Sequence, residues 1–316
     1  MRSRILSMGE ALVDVLPDGE GLWRPVPGGS SYNVALALGR LGAPASFVGR
    51  LSRDEQGERM TQELVTAGIS TELLSRDERP SPLSLVERGT QARSARYAIH
   101  LADTAHAPPD LPPNWRARAA HLHVSSFSAL VGDWGRAVAQ ALDSAAGELT
   151  RSFDVNIRPA LLPEREATRA LVADRIARAD IAKASEEDLD WLFPGEAVET
   201  IAGRWSTQGR IILVTRGAGG ASIYIDGAPI HVRGFAVAVV DTVGAGDAFM
   251  AAFLARAAET GVLRDVRAAS PAMLGALLAF ANAAAALCCM RAGADAPTRA
   301  EVEAFLAASP LREKSD

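Results

Sequence analysis

The stretch Asp241-Thr242-Val243-Gly244-Ala245-Gly246-Asp247-Ala248-Phe249 joins two glycines, a carboxylate and the start of a small-residue helical run. An apolar β-like run over 235–240 leads into it. Glycines at 244 and 246 permit a tight turn that bares backbone N–H groups, and a helix N-terminus directly after them adds the positive end of its dipole. That combination is a site for a phosphate or another anion. Asp247 puts a carboxylate on the same turn, where repulsion disfavours it unless it has chemical work. Beside an anion hole it can take the proton of an alcohol while the amides hold a phosphoryl group in transfer. A plain strand–turn–helix joint carries similar glycines, so the stretch does not decide alone. The Walker pattern G-x-x-x-x-G-K-[ST] occurs nowhere, and G-x-G-x-x-G fails at Ser222 after Gly217 and Gly219, and at Phe249 after Gly244 and Gly246.

Gly28-Gly29-Ser30-Ser31-Tyr32-Asn33-Val34-Ala35 is a second glycine turn opening a helix. Paired glycines let a small ligand approach the backbone, and the amide of Asn33 donates and accepts, which suits sugar hydroxyls. The plainer account is a helix start capped by Ser30 or Ser31. Asp14 follows the first strand and can bind hydroxyls, or serve only as a turn residue. Thr215-Arg216-Gly217-Ala218-Gly219-Gly220 follows the most apolar strand and offers backbone contacts to nucleotide phosphates or ribose, or a hairpin loop. At the end of another strand, alternation puts Asp154 and Asn156 on one side with Arg158 at the mouth, where a guanidinium can pair with phosphate oxygens. In Lys183-Ala184-Ser185-Glu186-Glu187-Asp188, Ser185 is a helix N-cap and the acids favour the helix start; alternatively one acid orients Mg²⁺ through water.

These groups need a scaffold. Short apolar runs at 5–8, 45–48, 121–124, 151–155, 180–182, 210–214 and 221–225 alternate with helical patterns at 31–41, 57–67, 133–146, 164–179, 186–192, 245–258, 271–290 and 299–307. The alternation predicts a mostly parallel sheet with helices on both faces, and nearly every candidate above follows a strand, where such folds bind ligands. Segments 11–28 and 81–105 break the rhythm. The second reads as strands over 83–87 and 95–101 about a turn at Gly89, and together the segments form a small sheet, either a water-excluding lid or a pair of edge hairpins.

The 316 residues, 48% hydrophobic and 22% charged, describe an ordinary globular chain. A net charge of −5 with scattered arginines argues against a nucleic-acid surface. The only cysteines, Cys288 and Cys289, are adjacent and make no staple, which points to a reducing compartment and a cytoplasmic protein. No signal peptide is read at the N-terminus, and the alanine-rich helix holding Asn282 reads as buried core rather than a membrane span. Of five histidines, His121 and His123 share a strand face without a third ligand, so a structural role is expected.

The two glycine motifs, in this order, resemble the signatures of the ribokinase-like (PfkB) carbohydrate kinases, and the resemblance spans essentially the whole chain. It implies a three-layer α/β/α sandwich with a mostly parallel central sheet and a small β lid. Segments 1–10, 29–80 and 106–316 would be the main domain and 11–28 and 81–105 the lid. It implies Asp247 as catalytic base, with Gly244, Ala245 and Gly246 as the anion hole. Asp14, Gly28, Gly29 and Asn33 would bind the sugar, with Tyr97 from the lid and Arg158. Lys183 and Ser185 match the motif approaching the ATP phosphates; Thr215, Gly217 and Gly220 would lie by the nucleotide and Asn282 near adenine. ATP and Mg²⁺ are implied, with K⁺ held near Asp241 and Gly293, and a homodimer. Two departures stand out. The family's Asn-x-x-Glu reads Ser185-Glu186-Glu187-Asp188, which shortens the acid tied to Mg²⁺ by one methylene. Tyr32 replaces a small residue and is expected to narrow the sugar pocket.

The opening Met8-Gly9-Glu10-Ala11-Leu12-Val13-Asp14 resembles fructokinases and 2-keto-3-deoxygluconate kinases. His100 stands where a keto-acid kinase often shows arginine, and Ala102-Asp103-Thr104-Ala105 resembles fructokinases, so D-fructose phosphorylated at the 6-hydroxyl is expected. The alternatives are a 2-keto-3-deoxygluconate kinase, a ribokinase or nucleoside kinase, and a non-catalytic sugar-binding regulator on the same scaffold. Leu83, Leu85, Tyr97 and Ile99 alternate as one face, for a dimer contact or for covering the sugar.

Overall fold

The computed structural model describes residues 4–19, 21–87, 96–265 and 269–308. The Gly89 turn lies outside them. Nine strands form the main sheet: β1 (Arg4–Met8), β4 (Ala45–Ser52), β5 (Leu74–Asp77), β8 (Ala119–Ser125), β9 (Thr150–Asp154), β10 (Ile181–Ser185), β11 (Ile211–Thr215), β12 (Ala221–Ile225) and β13 (Ala228–Val232). The order is β13-β12-β11-β10-β9-β8-β1-β4-β5, parallel throughout except at β12 and β13. A four-stranded sheet, β3-β2-β6-β7, is built from β2 (Leu12–Pro17), β3 (Trp23–Gly28), β6 (Leu83–Glu87) and β7 (Arg96–His100).

Burial on both faces explains the continuous apolar strands. In β11, Ile211 and Leu213 enter one core while Ile212 and Val214 enter the other. The first core lies under α1 (Ser30–Arg40), α2 (Glu55–Thr66), α7 (Ala245–Glu259), α8 (Pro271–Cys289) and α9 (Arg299–Ala308). The second lies under α3 (Gly132–Ala145), α4 (Arg165–Arg178), α5 (Glu186–Leu192) and α6 (Val198–Trp205). Helix α7 packs between α1 and α8, and its alanines allow the close approach that buries Phe249 and Phe253 completely. Each of those rings contributes on the order of 2–3 kcal/mol by leaving water. Helix α8 is long and apolar enough to cross a bilayer, but its stripe from Leu274 to Cys288 is buried against α7 in this fold.

Four elements depart from the sequence-based expectation. The run 235–240 is not a strand: Val240 N–H donates to the Cys289 carbonyl at 2.8 Å, and Val239 and Val240 are exposed, because β13 already occupies that edge of the sheet. Strands β5 and β13 were invisible to an apolar-run criterion, since LSRD and APIHV are edge strands needing only one buried side. Helix α6 is a short amphipathic helix that seats Ile201, Ala202 and Trp205 on the second core.

Candidate active site

The strands β1, β8, β9, β10 and β11 end together, at Met8, Ser125, Asp154, Ser185 and Thr215. The two glycine turns meet above them. Gly244 has φ 77° and is the N-cap of α7; a Cβ there would lie 2.7 Å from the Ala294 Cα, so only glycine fits. Asp247 therefore falls in the first turn of α7, and its carboxyl is buried.

Asn33 Nδ2 donates to Asp247 Oδ2 at 2.9 Å, and the Ser30 hydroxyl donates to Oδ1 at 2.7 Å. Asn156 Nδ2 donates to Ser30 Oγ at 3.0 Å. Burial pushes Asp247 above the ordinary carboxylate range, opposed by the bonds from Asn33 and Ser30 and by the Arg158 and Lys183 charges. Each carboxylate oxygen keeps a lone pair for an incoming hydroxyl. Ser30 and Ser31 do not cap α1: the N-cap is Gly29 without a side-chain bond, because Ser30 serves Asp247 and Ser31 bonds the Met8 carbonyl and Ser125.

The small sheet supplies Asp14. Its carboxylate lies against Gly28, where a Cβ would stand 3.1 Å from Asp14 Cγ and closer to its oxygen. Burial raises Asp14 to about 6, and Arg158 opposes the rise. Arg158, bonded to the Ile157 carbonyl at 3.0 Å, thus places its charge by both Asp14 and Asp247. Gly29, at φ 104°, leaves no room for a Cβ beside the Glu10 carbonyl, 2.7 Å away.

Lys183 lies in the interior below the glycine turn of α7. It is 3% exposed, and Nζ donates to both oxygens of Asp154 at 2.8 and 3.0 Å. Burial works against its charge, but Asp154, Asp188 and Asp247 outweigh that and hold its pKa above the ordinary lysine value. Its ammonium lies 3.3 Å from where a Gly246 Cβ would be, so it supports the α7 turn from below. Ser185 and Asp188 form a capping box: Ser185 Oγ accepts from Asp188 N at 3.0 Å and Asp188 Oδ2 accepts from Ser185 N at 2.8 Å. Asp188 Oδ1 also accepts from Ile157 N at 2.8 Å, which ties β10 to the Arg158 segment. Its geometry is accounted for by backbone partners.

A second cluster adjoins the first through β11, where Thr215 pairs with Ser185. Gly217 has φ 50°, and Gly220, φ 95°, packs on the Val232 carbonyl and Gly234. Asn282 Nδ2 donates to the carbonyls of Val232 and Arg233 at 3.1 and 3.2 Å. Thr215, Gly217, Gly220 and Asn282 therefore line one backbone-rich rim. Asp241 accepts from Val243 N at 3.1 Å and from Gly293 N at 2.9 Å, joining the two loops read as a cation site.

A family model for pfkB family carbohydrate kinases matches residues 4–301. This chain is a member of the pfkB family of carbohydrate kinases. Among curated relatives, a fructokinase of Rhizobium leguminosarum bv. trifolii is 35% identical over 257 residues, covering 79% of this kinase and 78% of the relative. A fructokinase from Xylella fastidiosa with bound ATP superposes with a TM-score of 0.88 at 26% identity, covering 98% of this kinase and 99% of that chain. A Vibrio cholerae fructokinase with fructose, ADP and calcium superposes with a TM-score of 0.83 at 28% identity, over 96% and 99% of the two chains.

Some expectations for this kinase fail on geometry. Tyr32 does not narrow the sugar pocket: it is fully buried, packs edge-to-face on Phe47, and its hydroxyl donates to Glu63 at 3.0 Å on α2. Leu83 and Leu85 pair with His100 and Ala98, while Ser84 pairs with both Ile99 and Asp14; the four residues read as one face lie on two. Ile99 shares the Asp14 face, and Tyr97 pairs with Val86. His100, exposed and opposite the Asp14 face, carries no information about the sugar.

His121 and His123 are buried; both nitrogens of His121 bond Thr150 and Ser152, and Nδ1 of His123 bonds Ser152. Among the described residues no group of three His, Cys, Asp or Glu side chains could hold a metal. Sequence reasoning missed the Asp154–Lys183 pair and Glu10. Glu10 is buried, accepts from Ser30 N at 3.2 Å and from the Ser128 hydroxyl, and burial raises it to about 7. Glu10 stood in the quoted opening motif, but only the contact with Ser30 reveals its place.

Proposed function

We propose that this kinase transfers the γ-phosphoryl group of ATP to the 6-hydroxyl of D-fructose, with Asp247 as general base. One observation carries the reading: a buried carboxylate, held at both oxygens, stands in the first turn of α7 beside the backbone N–H groups that open that helix. Asp247 accepts the hydroxyl proton as the sugar oxygen attacks phosphorus, and burial has raised its basicity toward neutral pH. The N–H groups of Gly244, Ala245, Gly246 and Asp247 stabilise charge growing on the phosphoryl oxygens. Asp14, Asn33 and the backbone at Gly28 and Gly29 orient the sugar, and Arg158 offsets the negative charge gathered there. The Thr215–Gly220 rim, with Asn282 bracing Val232 and Arg233, is the surface for the nucleotide.

With no protein cage for a divalent ion among the described residues, Mg²⁺ fits as part of the Mg·ATP substrate, for which it supplies charge neutralisation between phosphates. Asp188 would hold it through a water, and Asp241 would anchor K⁺. Segments 11–28 and 81–105 act as a lid over the main body of 1–10, 29–80 and 106–316, and the sugar-binding role expected of Tyr97 belongs to that lid. The opposite face of the small sheet, with Trp23 and Leu83 exposed, is the surface for a homodimer, which sedimentation velocity reads directly. The fructokinase relatives support fructose over the keto acid, since His100 no longer bears on that choice.

The test is ADP release with Mg·ATP and D-fructose, 2-keto-3-deoxygluconate, D-ribose, adenosine or no acceptor, with Asp247→Asn alongside. Fructose is the expected acceptor, and the variant should lose most turnover, about 10²-fold or more, while binding ATP nearly as well. A variant with near-normal kcat refutes the base. Preference for another acceptor keeps the mechanism and refutes the sugar.

A further inference from the structure

We propose that Ser30 is a positioning residue that sets the orientation and basicity of Asp247, with Asn156 holding the Ser30 hydroxyl in its donating pose. The inference rests on Asp247 as the base and assigns the group that tunes it. A serine hydroxyl has one proton and accepts through its oxygen. Asn156 Nδ2 fills the accepting side at 3.0 Å, so the single proton is directed to Asp247 Oδ1 at 2.7 Å. The polarity of the relay is therefore set by Asn156, whose amide nitrogen donates to that oxygen.

Ser30 is seated from both ends. Its backbone N–H donates to Glu10 Oε1 at 3.2 Å, and Gly29 reaches it through φ 104°. With 6% exposure and no capping bond to α1, its side chain has no local structural duty. Asn156 is held at φ 37°, a left-handed conformation that costs a non-glycine residue free energy and persists where surroundings over-determine it. That strained residue points its amide at Ser30.

Other titratable groups also face Asp247: Glu10 and Asp14 from the β1–β2 segment, Asp154 of β9, Arg158 after it, Lys183 of β10 and the neutral thiol of Cys288 of α8. None of these donates a hydrogen bond to the carboxylate; among the described residues Ser30 and Asn33 do. A bond to the ionised form lowers the pKa, so removing it raises the pKa and frees the carboxylate to turn.

The experiment measures kcat and KM for fructose against pH, with saturating Mg·ATP, for the wild type, Ser30→Ala, Ser30→Thr and Asp247→Asn. Ser30→Ala should move the acidic limb of kcat up by about one pH unit, which is about tenfold lower kcat on that limb, with KM little changed. Ser30→Thr keeps the hydroxyl and should return the limb to its wild-type position. If Asp247→Asn is inactive while Ser30→Ala leaves the limb in place, the inference fails and the base stands. A large rise in KM with an unmoved limb makes Ser30 a sugar ligand and also overturns it. If Asp247→Asn keeps its turnover, the base reading itself has failed.

Discussion

Lys183→Met tests whether the buried ion pair beneath the α7 turn holds the site together. Lys183 and Asp154 side chains are 4% and 1% exposed, with Nζ to both carboxylate oxygens. Methionine matches the stem but leaves Asp154 a buried charge without a partner, and such deletions cost about 3–5 kcal/mol. At about 2 °C per kcal/mol for a chain of this size, Tm falls by roughly 6–10 °C. The loss should depend on pH. Burial already raises Asp154 to about 6 with Lys183 present, and removing the cation raises it further. A folded-state pKa above the unfolded value means the folded protein holds a proton the unfolded chain releases. Stability is then fully present at low pH and declines as pH rises through the folded pKa. The deficit against wild type is expected to be small near pH 5 and largest near pH 8. Adding Asp154→Asn removes the charge and should recover most of the loss at pH 8. Urea unfolding of the three proteins at pH 5, 6.5 and 8 measures this. A deficit below about 1 kcal/mol, flat across pH, would refute the pair as a buried, mutually dependent unit.

Two further outcomes are expected. Gly28→Ala places a methyl against the Asp14 carboxylate and should displace it, raising KM for fructose about tenfold or more with a smaller effect on kcat; unchanged KM in initial-rate kinetics removes Asp14 from the sugar site. Glu10→Gln keeps an acceptor for Ser30 N and leaves the Ser128 hydroxyl to donate to the Ser125 carbonyl, but removes a carboxyl raised from 4.5 to about 7. Wild type should therefore lose up to about 3 kcal/mol relative to Glu10→Gln as pH rises from 4.5 to 7, read by urea unfolding; parallel curves for the two proteins would contradict a buried, titrating Glu10.

Much of the scaffold was legible because buried parallel strands must be apolar on both faces. The seven runs read from sequence all lie in the main sheet, whereas the polar edge strands β5 and β13 were not read. The 235–240 run shows the converse failure: β-branched residues do not make a strand where no edge is open to them. Tyr32 failed for a related reason. Its place three residues after the glycine pair suggested the pocket, but a helix carries successive side chains about 100° apart, and position 32 turns into the core between Phe47 and Glu63.

The site was legible as ingredients and not as an assembly. Each glycine turn shows locally that a backbone is bared before a helix, since that needs only glycine and a helix start. What makes Asp247 a poised base is a set of bonds crossing 214 and 217 residues of chain, from Asn33 and Ser30. Those bonds exist because α1 follows the small-sheet strand β3 and crosses over β1, while α7 enters after β13 from the opposite side of the sequence and packs directly on α1. Strand order brings the two turns together, and no local pattern encodes strand order. The same holds for Lys183: its motif suggested a phosphate contact, but pairing of β9 with β10 in a register that opposes Asp154 and Lys183 gave its ammonium an interior partner. A lysine in such a register must be paired to remain charged when buried, so its first duty is to the turn above it, and any effect on nucleotide affinity passes through that turn.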